Sequence, residues 1–317
     1  MLSSRVIAPK TSEVVTLPDP VPSPSQVLVE IEACGICTSD LAPWQRGPED
    51  GKPPIRLGHE IVGIVRSTGD LAGQWRPGDR VTGLGDLGFS TLAVMDADSV
   101  LPVPAGIEPA HAIGEPIADL EEALARTSLT AGDRVAVVGL GFMGLGLVQL
   151  ARTRAPGLLV GVDPSESARG RALQLGADLV YHPDEVPAEF DGRGPRASEN
   201  RMDIVLEATG VTPGLRTASQ LVRPFGTLCV VGYHHAGTAL MDMDLWYKAA
   251  TIVNGFCPDR TRLMAAMSDA LALIASRRVN YAPLITHEFA LEDVDAAYRL
   301  MEDRSPEFVK AVLIPSR

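Results

Sequence analysis

Four side chains in the N-terminal part of the chain have the chemistry of zinc ligands: Cys37, His59, Glu60 and Glu115. A thiolate and an imidazole are the usual pair at a catalytic zinc, and one or two carboxylates can complete the coordination while water or substrate takes the open place. A lone histidine beside a glycine, however, is often a hydrogen-bonded turn residue. The residue types alone therefore leave a zinc site and a structural turn both open.

A glycine-rich turn further along the chain has the spacing that binds a pyrophosphate. Gly139, Gly141 and Gly144 follow a short β-branched strand at residues 135–138 and precede a helical pattern at 145–154. The first glycine of G-x-G-x-x-G allows a tight turn, the second lets the backbone approach a phosphate, and the third lets the helix pack on the strand. A turn built for packing alone is the alternative, but strand, turn and helix follow in the order that dinucleotide binding requires.

The next strand, at residues 158–162, ends at Asp163, about 20 residues beyond the turn, as in dinucleotide-binding units. An acidic side chain there accepts a hydrogen bond from the ribose 2′-OH and repels a 2′-phosphate, which favours NAD over NADP. Later strands end at Thr209 and at residues 231–232, on the edge of the sheet where such folds place cofactor contacts. The candidate cofactor-binding residues in this region are Gly139, Gly141, Phe142, Met143, Gly144, Asp163, Thr209, Val231 and Gly232.

Composition excludes several classes of protein. At 317 residues, with 45% hydrophobic and 21% charged residues, the chain has the size and make-up of a soluble globular protein with two domains. A net charge of −12 opposes binding to nucleic acid or to an anionic membrane. No run approaches the ~18 apolar residues of a membrane span, and no apolar signal region stands at the N-terminus. Four scattered cysteines are too few for a disulfide framework, so we expect a cytoplasmic protein.

The elements that position the candidate residues differ along the chain. Residues 1–105 predict a mostly β domain, in which strands at 14–17 and 27–31 enclose a proline-rich loop and form an antiparallel unit; residues 43–54 predict a loop. From residue 134 strands alternate with helices, the pattern of a doubly wound parallel sheet. The strands expected there are 134–138, 158–162, 178–181, 203–207, 226–231 and 250–254.

The remaining segments predict helices and a return of β structure. A helix is expected within residues 111–129, and the stretch 183–201 predicts a solvated loop. After residue 258, an amphipathic helix at 263–277 precedes a strand at 285–289, a helix at 292–303 and a last strand at 308–314.

Four segments occur together and in order: Gly35-Ile-Cys37-Thr-Ser39-Asp40, Gly58-His59-Glu60-x-x-Gly63, Gly78-Asp79-Arg80-Val81 and the glycine turn. These segments resemble the zinc-containing medium-chain alcohol dehydrogenases, and the resemblance extends over nearly the whole chain. The pair Glu115-Pro116 resembles the sorbitol, threonine and glucose dehydrogenase branch, which has a glutamate here instead of a cysteine ligand.

The resemblance implies an α/β fold, in which a Rossmann doubly wound parallel sheet accompanies a mostly β, GroES-like catalytic domain. The implied domains are a catalytic β domain at 1–117, a dinucleotide-binding domain at 118–255 and a return to the catalytic domain at 256–317. One catalytic zinc is implied as well. Cys37 and His59 would be its steady ligands, while Glu60, Glu115 and a water share the remaining places.

The resemblance also implies a reaction, in which an alcohol bound at zinc loses its proton more easily and then transfers hydride to C4 of the nicotinamide. Ser39 corresponds to the hydroxyl that accepts the alcohol proton, although a turn serine is the alternative. Lys310 corresponds to an arginine that reaches the pyrophosphate, although an exposed lysine is often only solvated. A histidine that commonly passes the proton outward is Ala42 in this sequence.

Two further features bear on the site. The family commonly inserts a lobe with four cysteines and a structural zinc after Val81, whereas this chain reaches Val94 through a short stretch without cysteine, so one zinc is expected. Trp44 and Phe89 are candidates for the substrate pocket, although large aromatic residues are equally often core.

The sequence thus predicts an oxidoreductase that transfers hydride between NAD(H) and a polyol, a sugar or another secondary alcohol or ketone. The alternatives are a zinc-free reductase and a non-catalytic NAD-binding protein on the same scaffold. The expected partners are a small-molecule alcohol or ketone and further copies of the chain, as a homodimer or homotetramer.

Overall fold

The computed structural model describes residues 1–190, 201–235, 237–303 and 305–316. The chain divides into two compact units: Met1–Ala118 with Met267–Arg317, and Asp119–Ala266. The sequence placed the return to the first domain at residue 256, and the division by internal contacts falls at Met267. Most of the predicted solvated loop at 183–201 lies outside the described residues.

The first unit is built on a seven-stranded sheet, in which β14, β15, β3, β4, β5 and β7 lie side by side and β6 also pairs with β3; β1 and β2 form a separate pair. Its strands are β1 Leu2–Ala8, β2 Thr11–Thr16, β3 Gln26–Gly35, β4 Glu60–Thr68, β5 Arg80–Leu84, β6 Leu92–Asp96, β7 Val100–Pro102, β14 Ile285–Phe289 and β15 Lys310–Leu313. Alternate residues of β3 are buried, including Val27, Val29 and Ile31, as expected for a strand with one face in the core.

The first unit corrects two local predictions. The strand at residues 14–17 does not pair with the one at 27–31, because β2 pairs with β1 while β3 pairs with β4, β6 and β15. The predicted loop at 43–54 begins later, since α1 runs from Thr38 to Arg46 and includes Pro43. Burial of Trp44 accounts for this extension: its indole is fully buried and donates to Asp295 Oδ1 at 2.7 Å.

Trp44 and Phe89, the two candidates for the pocket, are core residues. Both are buried and contact Tyr298: Trp44 stacks on it with 5.0 Å between ring centroids, and Phe89 meets it edge-on at 6.3 Å. Tyr298 belongs to α8, one of the first unit's helices. Those helices are α1, the start of α2 Gly114–Ala125, the C-terminal part of α7 Arg260–Ala275, and α8 Val294–Asp303.

The second unit confirms the predicted doubly wound sheet. Six parallel strands lie in the order β10, β9, β8, β11, β12, β13, with β8 Arg134–Val138, β9 Leu158–Val162, β10 Leu179–Tyr181, β11 Met202–Glu207, β12 Val222–Val230 and β13 Thr251–Asn254. Its helices are α3 Phe142–Arg152, α4 Glu166–Gln174, α5 Thr212–Leu221 and α6 Asp244–Tyr247, with most of α2 and the start of α7. Helix α3 begins earlier than the predicted Leu145, because Gly141 is its N-cap.

Two structural features are absent from the described residues. The stretch from β5 to β6 holds only residues 85–91, so the cysteine-bearing lobe that is common in the family named by the resemblance is missing there. Within the same described ranges, every helix is too short or too polar to cross a bilayer.

Candidate active site

Cys37 lies at the junction of a central strand and a helix. Strand β3 ends at Gly35, the Ile36 amide donates to the Ala311 carbonyl of β15 at 3.0 Å, and α1 begins directly after Cys37. Cys37 is half-buried. A cysteine sulfur is a common metal ligand in proteins. The backbone therefore presents Cys37 as a ligand.

His59 and Glu60 reach the same place from the neighbouring strand. Gly58 has φ +94°, and a Cβ there would lie 2.5 Å from Phe89, so this turn into β4 requires glycine. Glu60 then pairs with Gly35 in the β3–β4 register. A Cβ at position 35 would lie 1.8 Å from Glu60 Oε2, so Gly35 leaves the space that the carboxylate occupies.

Among the described residues, Cys37, His59 and Glu60 form a group whose potential ligand atoms all lie within 4.8 Å of one another. Sulfur, imidazole nitrogen and carboxylate oxygen are the donors that zinc takes in proteins. Oε2 of Glu60 is buried and has no hydrogen-bond partner within the described part of the chain, a costly state for a carboxylate oxygen unless a cation binds it. The donor set and this oxygen fit a zinc ion.

Asp40 contacts both His59 and Cys37 through its carboxylate. Its Oδ1 lies 3.5 Å from His59 Nδ1, and its Oδ2 accepts from the Cys37 amide at 3.3 Å. A carboxylate on one ring nitrogen leaves the other nitrogen for a metal and sets the orientation of the ring. Asp40 had no role predicted from its place in the motif; its position three residues after Cys37 was the available signal.

The negative charges around His59 also favour the binding of a cation. Burial lowers the pKa of His59, but hydrogen bonds to Asp40 and Cys37 and the charges of Asp40 and Glu115 outweigh burial and raise the pKa to about 12. In the metal-free protein the imidazole therefore holds a proton among three acidic neighbours. A bound metal would replace that positive charge, and its binding would release the proton.

Lys310 lies in the same cluster. Its Nζ donates to Glu60 Oε1 at 2.6 Å, and both side chains are almost completely buried. Burial lowers the pKa of Lys310, yet the charges of Glu60 and Cys37 and the hydrogen bond to Glu60 raise it above the ordinary value. Lys310 is therefore not the solvated surface lysine that was one alternative. Its predicted contact with a pyrophosphate stays a prediction.

Glu115 and Ser39 lie around this group. Glu115 is half-buried in the first turn of α2, which is anchored where the Gly114 amide donates to Thr82 Oγ1 at 2.8 Å. Its charge raises the pKa of both His59 and Lys310, but Glu115 is not one of the three residues within the 4.8 Å group. Ser39 is exposed on the first turn of α1, two residues after Cys37. Metal binding by Glu115 and proton transfer by Ser39 stay predictions.

The glycine turn of the second unit combines two tightly packed glycines with one open backbone position. Gly139 has φ +91°, and a Cβ on Gly144 would lie 1.8 Å from the Gly139 carbonyl oxygen, so both glycines serve the packing of β8 and α3. Gly141, by contrast, is exposed, and a Cβ there would meet open space. Phe142 is buried and Met143 half-buried behind the N-terminus of α3. The open backbone at Gly141 fits a phosphate group.

Asp163 follows β9 and is bonded to this turn. Its Oδ2 accepts from the Leu140 amide at 2.8 Å and its Oδ1 from the Ser165 amide at 2.7 Å. Each carboxylate oxygen retains a lone pair for a ribose hydroxyl. Arg169 donates to the carbonyl oxygens of Asp163 and Pro164, at 2.8 Å each.

Thr209, Val231 and Gly232 lie where β11 and β12 end, at the same edge of the sheet as the glycine turn. All three bond to Glu207, a buried residue that the sequence analysis did not single out. The signal that could have found it is its place as the last residue of a predicted parallel strand.

Comparisons with known proteins identify the family of the chain. The family descriptions "Alcohol dehydrogenase GroES-like domain" and "Zinc-binding dehydrogenase" match residues 23–105 and 143–276. The sorbitol dehydrogenase of Halalkalibacterium halodurans is 27% identical, with 94% of each chain covered. A zinc-binding dehydrogenase of Sinorhizobium meliloti bound to NADP has a TM-score of 0.85 at 23% identity, covering 99% of this chain and 100% of that one. The 2R,3R-butanediol dehydrogenase of Bacillus subtilis has a TM-score of 0.83 at 23% identity, covering 99% of both. The two descriptions together match more than half of the chain, which therefore belongs to the zinc-binding alcohol dehydrogenase family, is similar to sorbitol dehydrogenases and is an oxidoreductase.

Proposed function

We propose that this protein is a zinc-dependent dehydrogenase that transfers hydride between NAD(H) and a polyol, a sugar or another secondary alcohol. One observation carries the proposal: the donor atoms of Cys37, His59 and Glu60 converge within 4.8 Å, and Glu60 Oε2 is buried there without a hydrogen bond among the described residues. A zinc-free reductase on this scaffold would have no use for that donor set.

The chain's own residues have distinct tasks in the proposed reaction. Zinc, held by Cys37, His59 and a glutamate, would supply the Lewis acidity that lowers an alcohol's pKa, and NAD would supply the hydride acceptor. Asp40 orients the His59 imidazole, as a carboxylate does for many metal-bound histidines. Ser39, an exposed hydroxyl two residues after Cys37, would receive the alcohol proton.

The class of the substrate and the identity of the cofactor are separate parts of the proposal. The polyol class is supported by the sorbitol dehydrogenase relative and by the Glu115-Pro116 pair. NAD is supported by Asp163, because a carboxylate repels a 2′-phosphate. The Sinorhizobium meliloti protein has the same fold and was solved with NADP, so both cofactors belong in the assay.

A substrate panel with matched variants tests the function. Purified protein is analysed for zinc and assayed at 340 nm with sorbitol, other sugar alcohols, inositols and diols, each with NAD and with NADP. Cys37→Ser should abolish activity and lower zinc content, whereas Cys257→Ser, which alters a thiol of the second unit, should retain both. Activity without zinc would support the zinc-free reductase, and cofactor binding without turnover would support the non-catalytic NAD-binding protein.

Self-association is a further part of the proposal, with a homodimer through β13 as the simplest form. In the described sheet β13 has a neighbour on one side only, and an exposed strand edge readily pairs with another strand. Apolar side chains around it are exposed: Ile252 by 44%, Trp246 by 66% and Phe256 by 73%. Light scattering should show a dimer that Ile252→Lys dissociates and that Leu71→Lys, on an exposed apolar residue of the first unit, leaves intact.

The cytoplasm is the location we propose. All four cysteines are free thiols, which a reducing compartment maintains. Labelling with a thiol reagent in intact cells and after lysis, combined with fractionation, tests this location.

A further inference from the structure

Glu207 is a buried carboxylate at the end of the central strand β11. Its side chain is fully buried. Oε1 accepts from the Thr209 amide at 2.6 Å, from the Gly210 amide at 3.1 Å and from the Thr209 hydroxyl. Oε2 lies 3.3 Å from His234 Nε2. An ionised carboxylate with several donors holds them more strongly than a neutral acceptor would.

The same residue also holds the loop that follows the next strand. Its backbone carbonyl oxygen accepts from the Val231 amide at 2.8 Å and from the Gly232 amide at 2.9 Å. With the contact to His234, Glu207 therefore joins two loops, residues 208–211 after β11 and residues 231–234 after β12.

These loops pack on each other and on the glycine turn. A Cβ on Gly139 would lie 2.6 Å from the Thr209 methyl group, and a Cβ on Gly232 would lie 2.2 Å from the Gly210 nitrogen. With so little free space, a shift of one loop would displace the next. Ligands of doubly wound sheets bind outside the carboxyl ends of the strands, which is where all three segments lie.

From this arrangement we infer that Glu207 is a positioning residue for the dinucleotide site. It holds loops 208–211 and 231–234 in the relative position that the cofactor requires. The inference rests on the proposed use of a nicotinamide dinucleotide. Glu207 need not touch the cofactor, because it acts through Thr209 and Gly232.

Two substitutions separate the length of the side chain from its charge. Glu207→Asp keeps the charge but withdraws the carboxylate by one methylene, so it should raise the Kd for NADH by about tenfold or more, the loss expected for a charge-assisted hydrogen bond. Glu207→Gln keeps an acceptor in place for the amides of loop 208–211 and should raise the Kd by about threefold or less, the loss expected when a neutral acceptor replaces a charged one.

Asp203 provides the matched control. It lies at the opposite end of β11, where its carboxylate accepts from the Arg134 amide at 2.8 Å and from Arg223 Nε at 2.6 Å. Asp203→Ala removes comparable bonds from the same strand and should lower the thermal midpoint while leaving the Kd for NADH unchanged. Zinc content should match the wild type in every variant, because the zinc residues belong to the first unit.

Hydrogen exchange without cofactor gives a second readout. The Thr209 and Gly210 amides should exchange faster in Glu207→Asp than in the wild type or in Asp203→Ala. If Glu207→Asp does not fold, Thr209→Val removes one donor and should change the Gly210 exchange and the Kd in the same direction by a smaller factor. Wild-type affinity in Glu207→Asp, or an equal loss in Asp203→Ala, would overturn this inference alone. A wild-type chain that binds neither NADH nor NADPH would overturn the proposed function as well.

Discussion

The ammonium group of Lys310 and the carboxylate of Glu60 form a buried ion pair, with 2.6 Å between Nζ and Oε1. The pair leaves Oε2 on the other side of the carboxylate, and Gly35 provides the space for this oxygen. Glu60 is thus held by Lys310 through one oxygen while the other is available to a metal beside Cys37 and His59.

Lys310→Met should destabilise the zinc-free protein by about 3–5 kcal/mol, the usual result when one partner of a buried ion pair is removed. The zinc-loaded protein should lose less, because the metal supplies positive charge to the same carboxylate. Denaturant unfolding with and without zinc measures the difference. Lys10→Met, which removes an exposed pair with Glu302, is the control and should change stability little. Equal losses of stability with and without zinc would contradict the role of Lys310 in holding Glu60 beside the metal. A raised Kd of Lys310→Met for NADH would support the predicted contact of Lys310 with the pyrophosphate.

Ser39→Ala should lower kcat by ~10²–10⁴, the range for a positioned proton transfer, because the alcohol proton loses its first acceptor. Zinc content and the Kd for NADH should stay the same. Thr38→Ala, at the exposed neighbouring residue, is the matched control. Wild-type turnover in Ser39→Ala would exclude the role.

The folded chain should contain one zinc. The residues from β5 to β6 lack the cysteine-bearing lobe, and the described residues show one group of metal-binding donors. Elemental analysis of the purified protein measures the ratio, and a value of two zincs per chain would contradict this expectation.

Glu115→Ala should reduce zinc retention or turnover without unfolding the protein. Glu115 is half-buried, and its charge raises the pKa of His59, so its loss weakens the attraction of the site for a cation. Zinc content after dialysis against a chelator, together with kcat/KM, measures the effect. Full metal content with normal kcat/KM would show that Glu115 neither binds the metal nor assists the reaction.

Asp163→Ser should weaken NAD binding by about 1–3 kcal/mol, the cost of losing hydrogen bonds to a charged acceptor. NADP should gain relative to NAD, because the repulsion of its 2′-phosphate disappears and Arg169 lies next to the site. Fluorescence titration with NADH and NADPH provides both constants. Since Asp163 also accepts from the Leu140 and Ser165 amides, an equal loss for both cofactors would point to a disturbed turn rather than to recognition of the ribose.

The periodicity of the strands was sufficient to predict the parallel sheet, and the resemblance carried by the motifs predicted the family. Of the four candidate zinc ligands, the structure brings Cys37, His59 and Glu60 together, while zinc binding stays a prediction. Strand periodicity and motifs are local features: an apolar β-branched run before G-x-G-x-x-G predicts β8 and the turn whatever the rest of the chain does. The same locality explains the errors. Pro43 predicted a loop, but burial of Trp44 in the core keeps α1 helical to Arg46, and packing of this kind outweighs local propensity.

Only the tertiary structure decided which partners the polar residues have. Lys310 and Glu60 are 250 residues apart, and the sequence offers no pattern that joins them. They meet because β3 pairs with β4 on one side and with β15 on the other, which brings Glu60 and the start of β15 to the end of β3 at Gly35. Asp40 and Glu207 likewise acquire their partners from the register of strands and the packing of loops. The types and spacing of residues determined which chemistry the sequence predicts, whereas long-range pairing decided which buried charges position the residues of the site.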